Sequence, residues 1–254
     1  MLSYVQCVGI ILLCVVLAWG LLYLLDCRLE ETTRKRANGV NGWQLSILGT
    51  LYAVALGFML SDAWLAYQTA LADVRAEASA VLLVDRNAQL MPVPCSQQLQ
   101  EQSNAYLEAV INKEWSAMQE HRTDRSGEMV LRDMWSTLGS CGAHDSITVR
   151  GNVVEALSAL QIRRDARVQD FEGRLPVIMW DVLLFGGVIL ITASCLLCNE
   201  RRWVHLFHVT SLTVLVVMSL LAIADLDRPF EGATHIDASA FRTVQGDLQI
   251  ENSR

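Results

Sequence analysis

The sequence predicts an all-α membrane protein: four transmembrane helices in two hairpins, with a helical extramembrane domain inserted between the second and third spans. Three observations predict it. Apolar runs at 5–25, 45–67, 177–197 and 206–224 each match the roughly 20 helical residues that cross a hydrocarbon core about 30 Å thick. Composition agrees, since 52% of the 254 residues are hydrophobic and only 19% charged, against roughly 25% in an average soluble domain. No stretch alternates polar and apolar residues for long enough to make a sheet. The expected division is a first hairpin at 1–67, an insert at 68–175, a second hairpin at 176–226 and a polar C-terminal tail at 227–254.

The first run has no Lys or Arg before it and no A-x-A-like site after it, which favours a retained helix over a signal peptide. The connection at 26–43 holds Arg28, Arg34, Lys35 and Arg36, then the turn-forming Asn38-Gly39 and Asn41-Gly42, and reads as a short loop. The second span continues into 66–90 without Gly or Pro, so its helix is expected to project beyond the membrane until Pro92-Val93-Pro94 ends it. Ser96 can cap a following helix to about 119, with Leu99, Ala105, Tyr106, Val110 and Trp115 on its apolar side. Further helices are expected at 128–138 and 148–173, separated by a turn at 139–145. Gly186-Gly187 in the third span permits close packing, and Asn199-Glu200-Arg201-Arg202 is the second short link.

Basic residues in short loops tend to stay cytoplasmic. The two short links carry four and two of them, which favours short loops inside and the insert outside, although Arg75, Arg163, Arg164, Arg167 and Arg174 flank the insert. A net charge of −7 argues against a nucleic-acid partner. The chain has seven cysteines, of which Cys95 and Cys141 alone lie in the insert and could pair in an oxidising compartment. The C-x-x-C of Cys195 and Cys198 has no second pair or nearby His and reads as two span-end thiols. His205 and His208 lack a carboxylate or thiol at fitting spacing, so neither a metal nor another cofactor is implied. No enzyme motif is present.

Two features invite function. Acidic residues at membrane depth are costly, and Asp62, Asp181, Asp225 and Asp227 fall toward the insert-side surface. They can form a charged vestibule for ions or pair locally to fix the insert. In the second span Ser46, Thr50, Ala53, Gly57 and Ser61 recur every three or four residues and share a face. Such a face serves either close helix packing or, in an oligomer, a narrow pore whose lining Asp62 would bias toward cations.

The chain also resembles the bacterial bestrophin-like family along nearly its whole length. Similar features are Leu51-Tyr52-Ala53-Val54 through Gly57-Phe58 to Trp64, then Glu77, Tyr106, Glu114-Trp115, Arg164 and Arg167. Leu175-Pro176, Trp180, the ending Leu226-Asp227-Arg228-Pro229-Phe230-Glu231-Gly232 and Phe241 complete the pattern. The resemblance implies a multi-pass protein of a bacterial inner membrane, a homo-oligomer, in bestrophins a pentamer, and an ion channel whose second span lines the pore. Two departures accompany it. Bestrophin necks carry bulky side chains where this stripe is small and hydroxylic, and bestrophin inserts are cytosolic where the loop charges here favour the outside. The rival class is a non-conducting scaffold or sensor whose insert binds a partner.

Overall fold

A computed structural model describes residues 4–28, 31–141, 147–173, 175–198, 201–232 and 234–252. The end of the expected turn with His144, the link residues Asn199 and Glu200, and Arg174 lie outside them. The described regular structure is entirely helical: α1 (Tyr4–Arg28), α2 (Glu31–Ala88), α3 (Cys95–Ala109), a π-helical turn (Val110–Glu114) and α4 (Trp115–Gln119). Then follow α5 (Ser126–Ser140), α6 (Ile147–Glu172), α7 (Val177–Leu196), α8 (Arg202–Leu226) and α9 (Ser239–Asn252). Among the described residues four stretches are helical, long and apolar enough to cross a membrane, in α1, α2, α7 and α8. The chain forms two compact units, Met1–Ala66 with Arg174–Asp227, and Tyr67–Gly173 with Arg228–Arg254.

In the first unit α1 packs on α7 and α8, and α7 packs on α8. The first part of α2 joins them through Tyr52 against Leu190 and Val216, and through Ala63 against Leu183 and Ile223. The Gly186-Gly187 pair is what lets Tyr52 in. A Cβ on Gly186 would stand 2.7 Å from Tyr52 Cδ2, and Tyr52 Oη donates to the Leu183 carbonyl at 3.1 Å. Trp43 and Trp64 are both exposed on α2. Their separation of about 32 Å along a helix matches a hydrocarbon core, and Trp favours its two boundaries.

The expected loop at 26–43 is a correction: α2 begins at Glu31 and takes in both Asn-Gly pairs. Glycine and asparagine lower helix propensity by only about 1 kcal/mol or less each, and tertiary bonds outweigh that. Buried Arg34 bonds Asp26 and donates to the carbonyls of Cys195 at 2.8 Å and Leu197 at 2.7 Å. The Asn38 amide bonds both the N–H and the carbonyl of Cys198 at 2.8 and 2.6 Å. These side chains satisfy the open carbonyls at the end of α7, which a loop could not reach in register.

The second unit has a core of its own, in which Leu99, Tyr106, Leu107, Met134, Leu157 and Leu160 are fully buried with the α2 residues Val74, Val81 and Val84. Ser96 does not cap α3. Pro94 stands at the N-cap without a side-chain bond, while Ser96 is buried in the first turn. Cys95 and Cys141 form a disulfide across 46 residues, joining the start of α3 to the end of α5. The tail expected at 227–254 is likewise folded. Phe241, Val244 and Leu248 recur on one face of α9 and are buried in this core, a helical period set among polar residues.

Candidate functional site

Along its membrane stretch α2 has three faces. Leu48, Tyr52, Leu56 and Ala63 turn inward to α7 and α8. Leu51, Val54, Phe58 and Leu65 are large and exposed. Between them runs the small-residue stripe, and Ser46, Thr50, Ala53, Gly57 and Ser61 are all exposed. Apart from its chain neighbours and the backbone of its own helix, no atom of the described residues comes within 4 Å of a Cβ built on Gly57. The stripe therefore does not serve helix packing within the chain. Asp62 is exposed too, without a hydrogen bond or ion pair among the described residues. It follows Ser61 and so points about 100° away around the helix, toward the large exposed side chains.

The second unit buries four charged side chains together. Arg167 of α6 donates from Nε to Glu77 Oε2 at 2.6 Å and from Nη2 to Glu77 Oε1 at 3.0 Å and Glu114 Oε2 at 2.7 Å. Its Nη1 meets Met118 Sδ at 3.2 Å. Arg164, one turn earlier, donates to Glu114 Oε1 at 2.6 Å. Glu114 ends the π-helical turn, and it also accepts the Gly127 N–H at 2.9 Å. That N–H belongs to the first turn of α5, where the helix dipole favours an anion. A Cβ at 127 would stand 2.7 Å from Glu114 Oε1, so a larger residue there would displace a carboxylate that Arg164 and Arg167 hold in place.

Two Glu and two Arg balance, so each buried charge has an opposite charge beside it. Burial pulls the Arg167 guanidinium down, but the Glu77 and Glu114 carboxylates more than reverse this and hold it above its ordinary value. Tyr106 donates to Glu77 Oε1 at 2.7 Å, and burial first, then the Glu77 charge, pushes its phenol well above the usual range. The Arg167 guanidinium also lies 5.5 Å over the Trp115 ring, a cation–π distance. Phe230 and Phe241 meet that ring edge-on at 5.8 and 5.5 Å, and Trp115 Nε1 donates to the Ile236 carbonyl.

The sequence-singled residues thus separate into two sets. Glu77, Trp115, Arg164, Arg167 and Phe230 come together in this network, which no spacing in the sequence announced. Arg228 reaches Glu231 at 3.4 Å, and buried Pro229 accepts the Ile236 N–H at 2.8 Å. Gly232 holds φ 88°, a left-handed turn that favours glycine. In the first unit, Pro176 starts α7, Trp180 packs on the Ala63 cluster, Trp64 is exposed, and Asp227 accepts the Leu175 N–H at 2.8 Å. Sequence reasoning gave His121 no role, yet its Nδ1 lies 2.6 Å from buried Glu231, a pairing across 110 residues that leaves no local signal.

A bundle of apolar helices with large side chains outside, continued by a helical unit cored like a water-soluble domain, defines a multi-span helical membrane protein. The bestrophin-like domain matches residues 12–241, and the chain belongs to the bestrophin-like family. Among solved structures it is similar to a bacterial bestrophin homologue from Klebsiella pneumoniae. One variant of that protein is 14% identical with a TM-score of 0.75, over 98% of this chain and 100% of that one. A second variant gives 13% and 0.77 over 98% and 99%, and a structure phased on zinc gives 13% and 0.71 over 96% and 97%. No curated protein sequence matches the chain.

Proposed function

We propose that the protein is a homo-oligomeric ion channel of a bacterial inner membrane, with two transmembrane hairpins around the helical insert. In this reading the Ser46, Thr50, Ala53, Gly57 and Ser61 stripe lines the pathway, and Asp62 lies at the level of its insert-side end, turned about 100° off the stripe. One observation carries it: the stripe is exposed in the single chain while the opposite face of the same helix is packed. Hydroxyls and backbone next to small residues are poor company for lipid and suit either water or a neighbouring subunit. The family supplies the expectation of a pentamer around such a helix. Purified oligomer in a planar bilayer under a KCl gradient should pass current, and Ser61→Trp should abolish it without altering the oligomer's mass. Undiminished current through Ser61→Trp would remove the stripe from the pathway.

The insert faces the periplasm in this reading and the short loops face the cytoplasm. The cysteines support it. The disulfide lies in the insert, whereas Cys27, Cys195 and Cys198, at the other ends of the spans, are thiols. Exposed Cys27 should react with a membrane-impermeant maleimide in inverted vesicles and stay unlabelled in spheroplasts; the reverse pattern would turn the protein over.

A further inference from the structure

Arg164 and Arg167 lie one turn apart on α6 and end very differently. All three Arg167 nitrogens have partners in Glu77, Glu114 and Met118. Arg164 makes one bond, from Nη2 to Glu114, although its side chain is only 6% exposed. Its Nε is buried with no partner, and among the described residues the guanidinium bonds nothing further. A guanidinium carries five N–H donors, and donors withdrawn from water call for acceptors.

Arg164 lines a cleft of about 350 Å³ within the second unit. That is inside the roughly 300–1,000 Å³ of small-molecule sites. Beside it is Gln161, whose amide oxygen accepts from Trp135 at 3.2 Å and whose NH2 bonds nothing among the described residues. Of the other charged groups in the cleft, Asp124 is bonded by Ser126 and Glu128 is paired with Arg125 and Arg132, which leaves the carboxylates of Asp165 and Glu172 without partners among the described residues, beside an apolar wall of Val168 and Phe171. A bare anion would suit Arg164 and be repelled by the carboxylates. A bare amine would suit the carboxylates and leave the arginine donors empty. We propose that the cleft binds a small zwitterion of the amino-acid class, its carboxylate on Arg164 and Gln161, its ammonium toward Asp165 and Glu172, its side chain along Val168 and Phe171.

Titration calorimetry on the full-length protein in detergent, with each of the twenty protein amino acids and with propionate, n-propylamine and inorganic phosphate, tests this. At least one amino acid should bind saturably, about tenfold or more tightly than the three single-function probes. Val168→Trp fills the cleft and should abolish the heat. Asp165→Asn removes an exposed carboxylate, leaves the buried network in place and should weaken binding several-fold with little change in thermal midpoint. If Val168→Trp does not fold, Asp165→Asn and the probe series decide the matter. No binding of any amino acid at millimolar concentration overturns the proposal. So does propionate or phosphate binding as tightly as the best amino acid, or binding that Asp165→Asn leaves unchanged.

Discussion

Val16, Leu17, Leu51, Phe58, Phe185 and Leu215 stand on the outside of the first unit, each at least 60% exposed, whereas in the second unit Leu99, Leu107, Leu157 and Leu160 are fully buried. Charge is arranged in the opposite way. The second unit buries Glu77, Glu114, Arg164 and Arg167 as a balanced set, while among the described residues the buried charge in the first is Arg34, at the short-loop end of its helices. Each unit is built for a different solvent. Where lipid surrounds a helix, burying a leucine gains little and helices associate through small residues and close packing. Where water surrounds it, apolar burial drives folding, and a charge kept inside is costly unless it is paired. Helix α2 takes part in both, with Gly57 and Leu51 exposed in its membrane stretch and Val74, Val81 and Val84 buried further on.

The largest blow to this comparison comes from Arg167→Met. It leaves Glu77 and Glu114 buried without their common cation and should cost the second unit about 3–5 kcal/mol. Near-ultraviolet dichroism from the Trp115 region should collapse while most far-ultraviolet helicity persists; loss of both together would mean that the two units do not fold by separate rules. Next, Cys95→Ser with Cys141→Ser should destabilise the second unit by about 2–4 kcal/mol, as expected for opening one long loop in the unfolded chain. Dithiothreitol should lower the thermal midpoint of the wild type but not of this double variant. Third, Gly186→Val sets a side chain against the Tyr52 ring and should cost about 1–3 kcal/mol through overpacking of the first unit. Its midpoint should fall with the dithiothreitol response unchanged.

The smallest effect concerns pH. Burial first, and the Asp73 charge second, push Asp170 up to about 6, and its Oδ2 is buried without a partner. An unfolded aspartate titrates near ~3.9, so the folded protein binds this proton more tightly. The resulting stability is present in full below about 4 and is lost as pH rises through about 6. Asp170→Asn should therefore raise the midpoint at neutral pH relative to wild type, with the difference shrinking on acidification. A gain of equal size at pH 4 and pH 7.5 would break the assignment.

Much of this was legible because it repeats. The four apolar runs, the two-proline end of α2 and the stripe at 46, 50, 53, 57 and 61 each follow a length or a period that any helix imposes. Helix α9 is less legible because its period is short and diluted: Phe241, Val244 and Leu248 are three apolar positions among charged and polar neighbours. The 26–43 segment was misread because Asn-Gly is a turn signal only when nothing outbids it, and Arg34 and Asn38 find partners in α7 that sequence proximity cannot suggest.

The sequence by itself determined the helical class, the lipid-length segments and the shared face of the stripe's residues, since those follow from side-chain period and hydropathy along a single helix; that this face is exposed in the chain came from the packing of α2. Only the tertiary structure decided that Glu77, Tyr106, Glu114 and Arg167 share one buried network, that Cys95 and Cys141 are joined, and that Arg164 is left with donors to offer beside a cleft. These depend on which helix faces which. A charge becomes a partner, or an unmet need, only when packing removes water and brings one acceptor within 3 Å but not another.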